Sequence, residues 1–308
     1  MEDVKFGALP SPKDDRDYKA KDHICMGIRP EKYVPEEYAP ILNQGSVSSC
    51  VAHSLATMKW YQEHRERRSY DEYSTDFIYH NRAENEWQGL GMFTRDACKH
   101  LVNEGVALKK SISTNTEYPN DSVKKLVDKY RSEAMAYDGD KYVSLDTAND
   151  ICEAIFQYSA CVICIEVKSS FSSFYFKDEN NMVLPIPKSS ERDLGYHAIC
   201  AVGYDERGII VQNSWGEAWG HNGLAILPYD YPIRESWVVV DKVKSWDIIE
   251  MKIGSKKYKR NDIEYETDVA PKIIENRTMV PLRLIAELLD ADVEWNERTR
   301  KIVIRRSF

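Results

Sequence analysis

Apolar residues recur three and four positions apart from Val51 through Leu55 and Met58 to Tyr61, a spacing that predicts a helix running from Cys50 to about Arg67. Helices are also predicted over 74–85, over 94–102 with Gly105 as the stop, over 122–134 and over 147–158. After residue 160 the pattern shortens into strand-like runs at 160–167, 197–204, 208–213, 223–228 and 236–241, separated by glycine, proline and charged clusters. A helix-rich first half packed on a twisted antiparallel sheet or partly closed barrel makes an α+β molecule with a cleft between two lobes. Residues 1–40 hold several prolines and charges but no sustained period, which reads as an extended arm lying on the body. From Asp247 the pattern restarts. A strand over 248–253, a turn at Gly254-Ser255, a return strand through Tyr258, a helix opened by Pro281 and running to Leu289, and strands over 293–295 and 301–305 make a small α+β domain. The organisation read from the pattern is therefore an arm (1–40), a main domain (41–246) and an accessory domain (247–308).

Composition narrows the partners. The chain has 308 residues, 43% hydrophobic and 30% charged, with a net charge of −8, which argues against nucleic acid as the main partner. Nowhere do about 18 apolar residues run together, so no membrane span is expected. Met1-Glu2-Asp3-Val4-Lys5 leads into no apolar run, so a cytoplasmic protein without a signal peptide is expected. Seven scattered cysteines fit free thiols in a reducing compartment. Cys161 and Cys164 form a CxxC, but residues three apart on a strand face opposite ways and cannot converge on a metal.

The candidate chemistry begins at Asn43-Gln44-Gly45-Ser46-Val47-Ser48-Ser49-Cys50. A hydroxyl of Ser48 or Ser49 can cap the helix, which places Cys50 in its first turn, where free backbone N–H groups favour thiolate. Gln44 is an amide donor that a loop can return beside the sulfur. His197 opens the strand to Tyr204, and Ile209 to Asn213 returns after the turn at 205–208. Folding that hairpin sets His197 and Asn213 nearly opposite each other. The asparagine carbonyl can then fix the ring, and Trp215 can shield the bond from water. His53 could pair with Cys50 as two metal ligands three apart, but further ligands are not visible, and no metal or cofactor is expected.

Together these stretches, with Tyr196-His197-Ala198 … Val202-Gly203-Tyr204 and Asn213-Ser214-Trp215-Gly216 … Trp219-Gly220 … Gly223, resemble the papain family of cysteine peptidases over roughly residues 40–245. The resemblance implies a two-lobe papain-like fold, Cys50 as nucleophile, His197 as base and then acid, and Asn213 as orienter. It implies an oxyanion hole made by the Gln44 amide and the Cys50 backbone N–H. A thiolate–imidazolium pair would bring the thiol into the range of about 3.5–7.5. Gly91, in the glycine-bearing loop 87–93, resembles the family glycine whose backbone pairs with extended substrate. Ser48 stands where relatives have a glycine beside the substrate path, and Trp215 lies by the site. Val47 stands where many relatives have a half-cystine, Val51 replaces a tryptophan and His53 a phenylalanine. No long inhibitory propeptide like that of many relatives is expected; the arm is a candidate short prosegment in its place, and its removal is expected to raise activity if it blocks the cleft.

In the tail, Asn276-Arg277-Thr278-Met279-Val280-Pro281-Leu282-Arg283 … Val293-Glu294-Trp295 resembles the copper amine oxidase N-terminal-like (stalk) domain, an accessory module of bacterial surface proteins that carries no copper chemistry itself. That module leans towards the cell surface, reached by release on lysis. The basic runs 256–260 and 298–306 read as solvated hairpin faces, with contact to an anionic polymer as the alternative. The functional expectation is a cysteine endopeptidase acting on polypeptide. The alternatives are a cell-wall peptide amidase targeted by the tail, or an inactive papain-like assembly protein.

Overall fold

The computed structural model describes residues 5–27, 29–67, 69–171, 182–241, 249–260, 263–288 and 291–306. The chain divides into two units at Val243/Lys244. Unit one opens with strands β1 (Ala8–Leu9) and β2 (Tyr18–Lys19) and the short helix α1 (Ala20–His23), followed by α2 (Cys50–Arg67), α3 (Thr75–His80), β3 (Met92–Phe93), α4 (Thr94–Glu104) and α5 (Asp121–Ala134). Then come β4 (Gly139–Ser144), α6 (Ala148–Tyr158), β5 (Cys161–Lys168), β6 (Asp193–Asp205), β7 (Gly208–Gln212), β8 (Leu224–Leu227) and β9 (Ile233–Asp241).

Seven strands form one sheet in the order β2-β4-β9-β5-β6-β7-β8, antiparallel except for the short β2–β4 pair. Alternation along the strands gives each face its own core. Val162, Cys164, Ala198, Cys200 and Val239 pack with α2, α4 and α5, while Cys161, Ile163, Ile199, Val211 and Val238 pack with Ile151, Cys152 and Ile155 of α6. The two CxxC sulfurs therefore lie in different cores, as the strand reading requires.

The helix α2 is buried from Cys50 through His64, not on one face alone. Its polar side chains are matched inside. Lys59 pairs with Glu63 at 2.8 Å with both side chains 2% exposed, Gln62 Nε2 donates to Val239 O at 2.7 Å, and Tyr61 OH donates to Gln212 Oε1 at 2.8 Å. The predicted helix over 74–85 is shorter, stopping at His80, where the Asn81 backbone leaves the helical region. β4 was not anticipated: Gly139-Asp140-Lys141 lacks the apolar alternation by which the other strands were read.

The arm lies on unit one. β1 pairs parallel with β3, β2 pairs parallel with β4, and Tyr33 bridges Tyr204. Unit two holds β10 (Ile249–Met251), β11 (Lys257–Arg260) and β12 (Ile263–Glu266) as one sheet. It continues with the hairpin of β13 (Lys272–Ile274) and β14 (Arg277–Met279), helix α7 (Leu282–Leu288), and the hairpin of β15 (Ala291–Asn296) and β16 (Lys301–Arg306). Ile248 and Leu289, the predicted ends of its first strand and its helix, lie outside the described residues. Two of its basic residues are neutralised within its hairpins, Lys257 by Glu264 at 2.6 Å and Arg305 by Glu294 at 2.8 Å.

Candidate active site

Cys50 is the first residue of α2. The hydroxyls of Ser48 and Ser49 have other partners than the helix start: Ser48 Oγ donates to Glu117 Oε2 at 3.1 Å, and Ser49 Oγ lies 3.2 Å from His53 Nδ1. The Ser49 carbonyl accepts from the His53 backbone N–H at 3.0 Å. The ring of His53, also 3.0 Å from Ser49 O, is buried and pushed down to about 4 by that burial.

His197 sits on β6 opposite Ile165 of β5, and its Nε2 donates to Asn213 Oδ1 at 2.7 Å. A bulge between Ala201 and Gly203 shifts the hairpin, and the last ladder pair is Cys200 with Gln212. Asn213 thus leaves the sheet short of the level of His197, and its side chain spans the gap diagonally rather than directly across. Trp215 covers the pair, its ring centroid 4.6 Å from that of His197. Nδ1 of His197 is buried without a hydrogen bond among the described residues.

Gln44 is held from behind. Its Oε1 accepts from Ser214 Oγ at 2.8 Å, its backbone N–H donates to Ser214 O at 2.9 Å, and Gly216 N–H donates to Leu42 O at 3.0 Å. The segment carrying Asn213 and the segment carrying Gln44 are thereby knitted together. Nε2 of Gln44 points forward, donating to Val47 O at 2.9 Å and to the carbonyl of Lys5 at 3.0 Å.

That last bond shows which part of the arm reaches the site. Lys5 through Leu9 run through the cleft. Phe6 packs 6.2 Å from the His197 ring and 6.1 Å from the Trp215 ring, Gly7 O accepts from Met92 N–H at 2.8 Å, and Ala8 pairs with Met92. The fit requires bare backbone. A Cβ on Gly7 would meet Ser48 O at 1.9 Å, and one on Gly91, which has φ +73°, would meet Gly7 O at 2.4 Å. The loop at Gly91 does pair with an extended segment, and here that segment is the chain's own arm.

The covered site differs electrostatically from the expected thiolate. Burial pushes the Cys50 thiol up, against backbone hydrogen bonds from Ala198, Gly7, Val51 and Ala8 that favour the anion. Burial likewise pushes His197 down to about 4, outweighing the Asn213 bond. Both residues are wholly shielded from water, and burial favours the neutral form of each; among the described residues His197 Nδ1 makes no hydrogen bond to the Cys50 sulfur.

Glu117 is a further residue of the site, one without a local signature in the sequence. It accepts from Ser48 N–H and Ser48 Oγ at 3.1 Å each through Oε2, and from Tyr79 OH through Oε1. Tyr79 OH in turn accepts from Gly91 N–H at 3.2 Å. The carboxylate ties the loop before Cys50, through Tyr79, to the loop of Gly91.

Comparison with known proteins gives the family and the fold. The profile of the papain family cysteine proteases matches residues 31–231, and that of the copper amine oxidase N-terminal domain matches residues 236–304. Cathepsin J of Mus musculus is 25% identical over 238 residues, 72% of this chain and 67% of that one. A peptidase C1-like protein of Acanthamoeba polyphaga mimivirus is 40% identical over 77 residues, 22% of this chain, and the match spans 25% of that protein's length. Xylellain, a cysteine protease from Xylella fastidiosa, has the same fold with a TM-score of 0.62 at 23% identity, covering 79% of this chain and 99% of that one. A cysteine protease of Carica candamarcensis superposes with a TM-score of 0.52 at 18% identity over 67% of this chain and 94% of its own. With a family profile matched along most of its length and the fold to go with it, this chain belongs to the papain family and is a cysteine peptidase.

Proposed function

We propose that the chain is an endopeptidase in which Cys50, His197, Asn213 and Gln44 carry the chemistry, and that residues 5–9 hold it latent. The observation that carries this reading is the Gln44 amide donating at 3.0 Å to a peptide carbonyl, that of Lys5, beside a buried cysteine at a helix start and a histidine fixed by Asn213 at 2.7 Å.

With substrate in the cleft, His197 takes the Cys50 proton and the sulfur attacks the scissile carbonyl carbon, forming the S–C bond. The developing oxyanion is held by Gln44 Nε2 and the Cys50 backbone N–H. The C–N bond breaks as His197 passes its proton to the leaving amine. Water, deprotonated by His197, then adds to the thioester and breaks the S–C bond, returning the thiol. Asn213 keeps one ring nitrogen occupied so that the other can serve the sulfur.

The arm occupies this path without offering a bond to cut. The Cys50 sulfur faces the amides of Gly7 and Ala8, while the carbonyl held by Gln44 belongs to Lys5. Attack needs sulfur and amide donor on one and the same peptide group.

The test is alkylation by a peptidic epoxide in full-length protein. Gly7→Val cannot seat the arm, and it is expected to be labelled at Cys50, alone among the seven cysteines, at least about tenfold faster than the unsubstituted chain. Uniform labelling, or none at Cys50 in the Gly7→Val protein, would overturn Cys50 as the nucleophile; equal rates would overturn latency.

A further inference from the structure

Glu117 does more than brace the nucleophile loop. The loop that carries it is fixed: Asp76, buried in the first turn of α3, accepts backbone N–H bonds from Thr114 and Asn115 at 2.7 Å each and from Thr116 at 3.0 Å. His80 Nε2 lies 3.1 Å from Thr116 O. So held, Glu117 turns its carboxylate up beside Ser48. Burial opposes its ionisation, but the bonds from Tyr79 OH and from the Ser48 amide and hydroxyl outweigh this and hold its carboxyl below the usual range. The side chain stays 28% exposed, and Oε2 pairs with Lys5 Nζ at 3.6 Å.

Lys5 is the residue whose carbonyl rests on Gln44 Nε2. A single residue of the arm therefore meets two recognition groups together, its carbonyl at the amide donor and its ammonium at a fixed carboxylate. A brace requires neither the open face of that carboxylate nor its charge, since a neutral oxygen would accept from the Ser48 amide equally well.

We propose that Glu117 is a specificity-determining residue, forming an acidic subsite for a lysine or arginine side chain on the substrate residue whose carbonyl is attacked. This rests on the assignment of Cys50 and Gln44 made above. A substrate carbonyl brought to Gln44 carries its own side chain within a lysine's length of Glu117, and the cationic head replaces Lys5 as the partner.

The experiment uses full-length Gly7→Val protein and two peptidyl acyloxymethyl ketones that differ only in lysine or norleucine next to the reactive carbonyl. The rate of Cys50 alkylation by each is read by mass spectrometry. A half-exposed ion pair is expected to favour the lysyl probe by roughly two- to fivefold. In Gly7→Val with Glu117→Gln the ratio of the two rates is expected to fall to about one, whatever happens to the rates themselves. With Glu117 intact, the ratio is expected to shrink as salt rises from about 0.02 to about 0.5 M, a measurement that stands even if the glutamine variant fails to fold. Equal rates with Glu117 intact, a salt-independent ratio, or a preference that survives Glu117→Gln would overturn the subsite while leaving Cys50 as nucleophile. Labelling of Cys50 by neither probe would overturn the assignment of Cys50 itself, and the subsite with it.

Discussion

Burial pushes the His197 imidazole from 6.5 down to about 4, so the folded chain binds fewer protons there than the unfolded one. That contribution to stability is fully present above about pH 6.5 and is lost as pH falls towards about 4, by at most about 1.4 kcal/mol per pH unit. In chemical denaturation His197→Gln should lose less stability than the unsubstituted chain between pH 7 and pH 5, and identical pH profiles would refute the linkage. On the proposed mechanism, replacement of Gln44 by alanine should lower kcat by about 10²–10³-fold with little change in KM, since an oxyanion donor acts on charge that develops only in the transition state. The residues of this cluster were legible because each sits in a short local pattern. Cys50 opens a periodic helix, and His197 and Asn213 flank one hairpin. Lys5, Phe6, Gly7 and Glu117 were not legible, because their meaning comes entirely from distant partners: Gln44, Trp215, Gly91 and Ser48.

At the scale of the element, α2 carries Cys50, the proposed nucleophile, on a helix with almost no free face. Its rigidity depends on polar groups satisfied in the interior. Lys59→Ala breaks the buried ion pair with Glu63 and should lower stability by about 3–5 kcal/mol in chemical denaturation. The paired replacement Lys59→Met with Glu63→Leu should cost far less or nothing. The sequence period located the helix end to end but predicted only one buried stripe. A pattern records which residues are apolar, and it cannot record that Lys59, Gln62 and Glu63 find partners in one another and in β9. β4 escaped for the converse reason. Its strand geometry is imposed by pairing with β9, while its own first residues carry no alternation.

At the scale of the molecule, the chain divides into two compact units at Val243/Lys244. Each has its own buried apolar residues, those of the second including Leu284, Ala286 and Leu288. Calorimetry of the full chain should resolve two unfolding transitions. A chain ending at Val243 should keep the higher-enthalpy one together with Cys50 labelling in the Gly7→Val background. The two-lobe organisation was readable from the switch between helical and strand periods near residue 160, and the second unit from the restart of the pattern at Asp247. The course of the arm was not, since an aperiodic segment carries no record of what it lies against.

The parallel pairing of β1 with β3 has one more consequence, set by the anchor that follows it. β2 fastens the arm to β4 at Tyr18 and Lys19, so Lys5–Leu9 hang on a short leash beside the cleft. Tethered this way, a segment acts at an effective concentration in the millimolar range, and a weak intrinsic affinity suffices to keep the cleft filled. A free peptide of residues 5–11 added to the Gly7→Val protein should therefore compete with the lysyl probe only near millimolar concentration. One cut between Leu9 and Tyr18 should release the enzyme without removing any residue that shapes it.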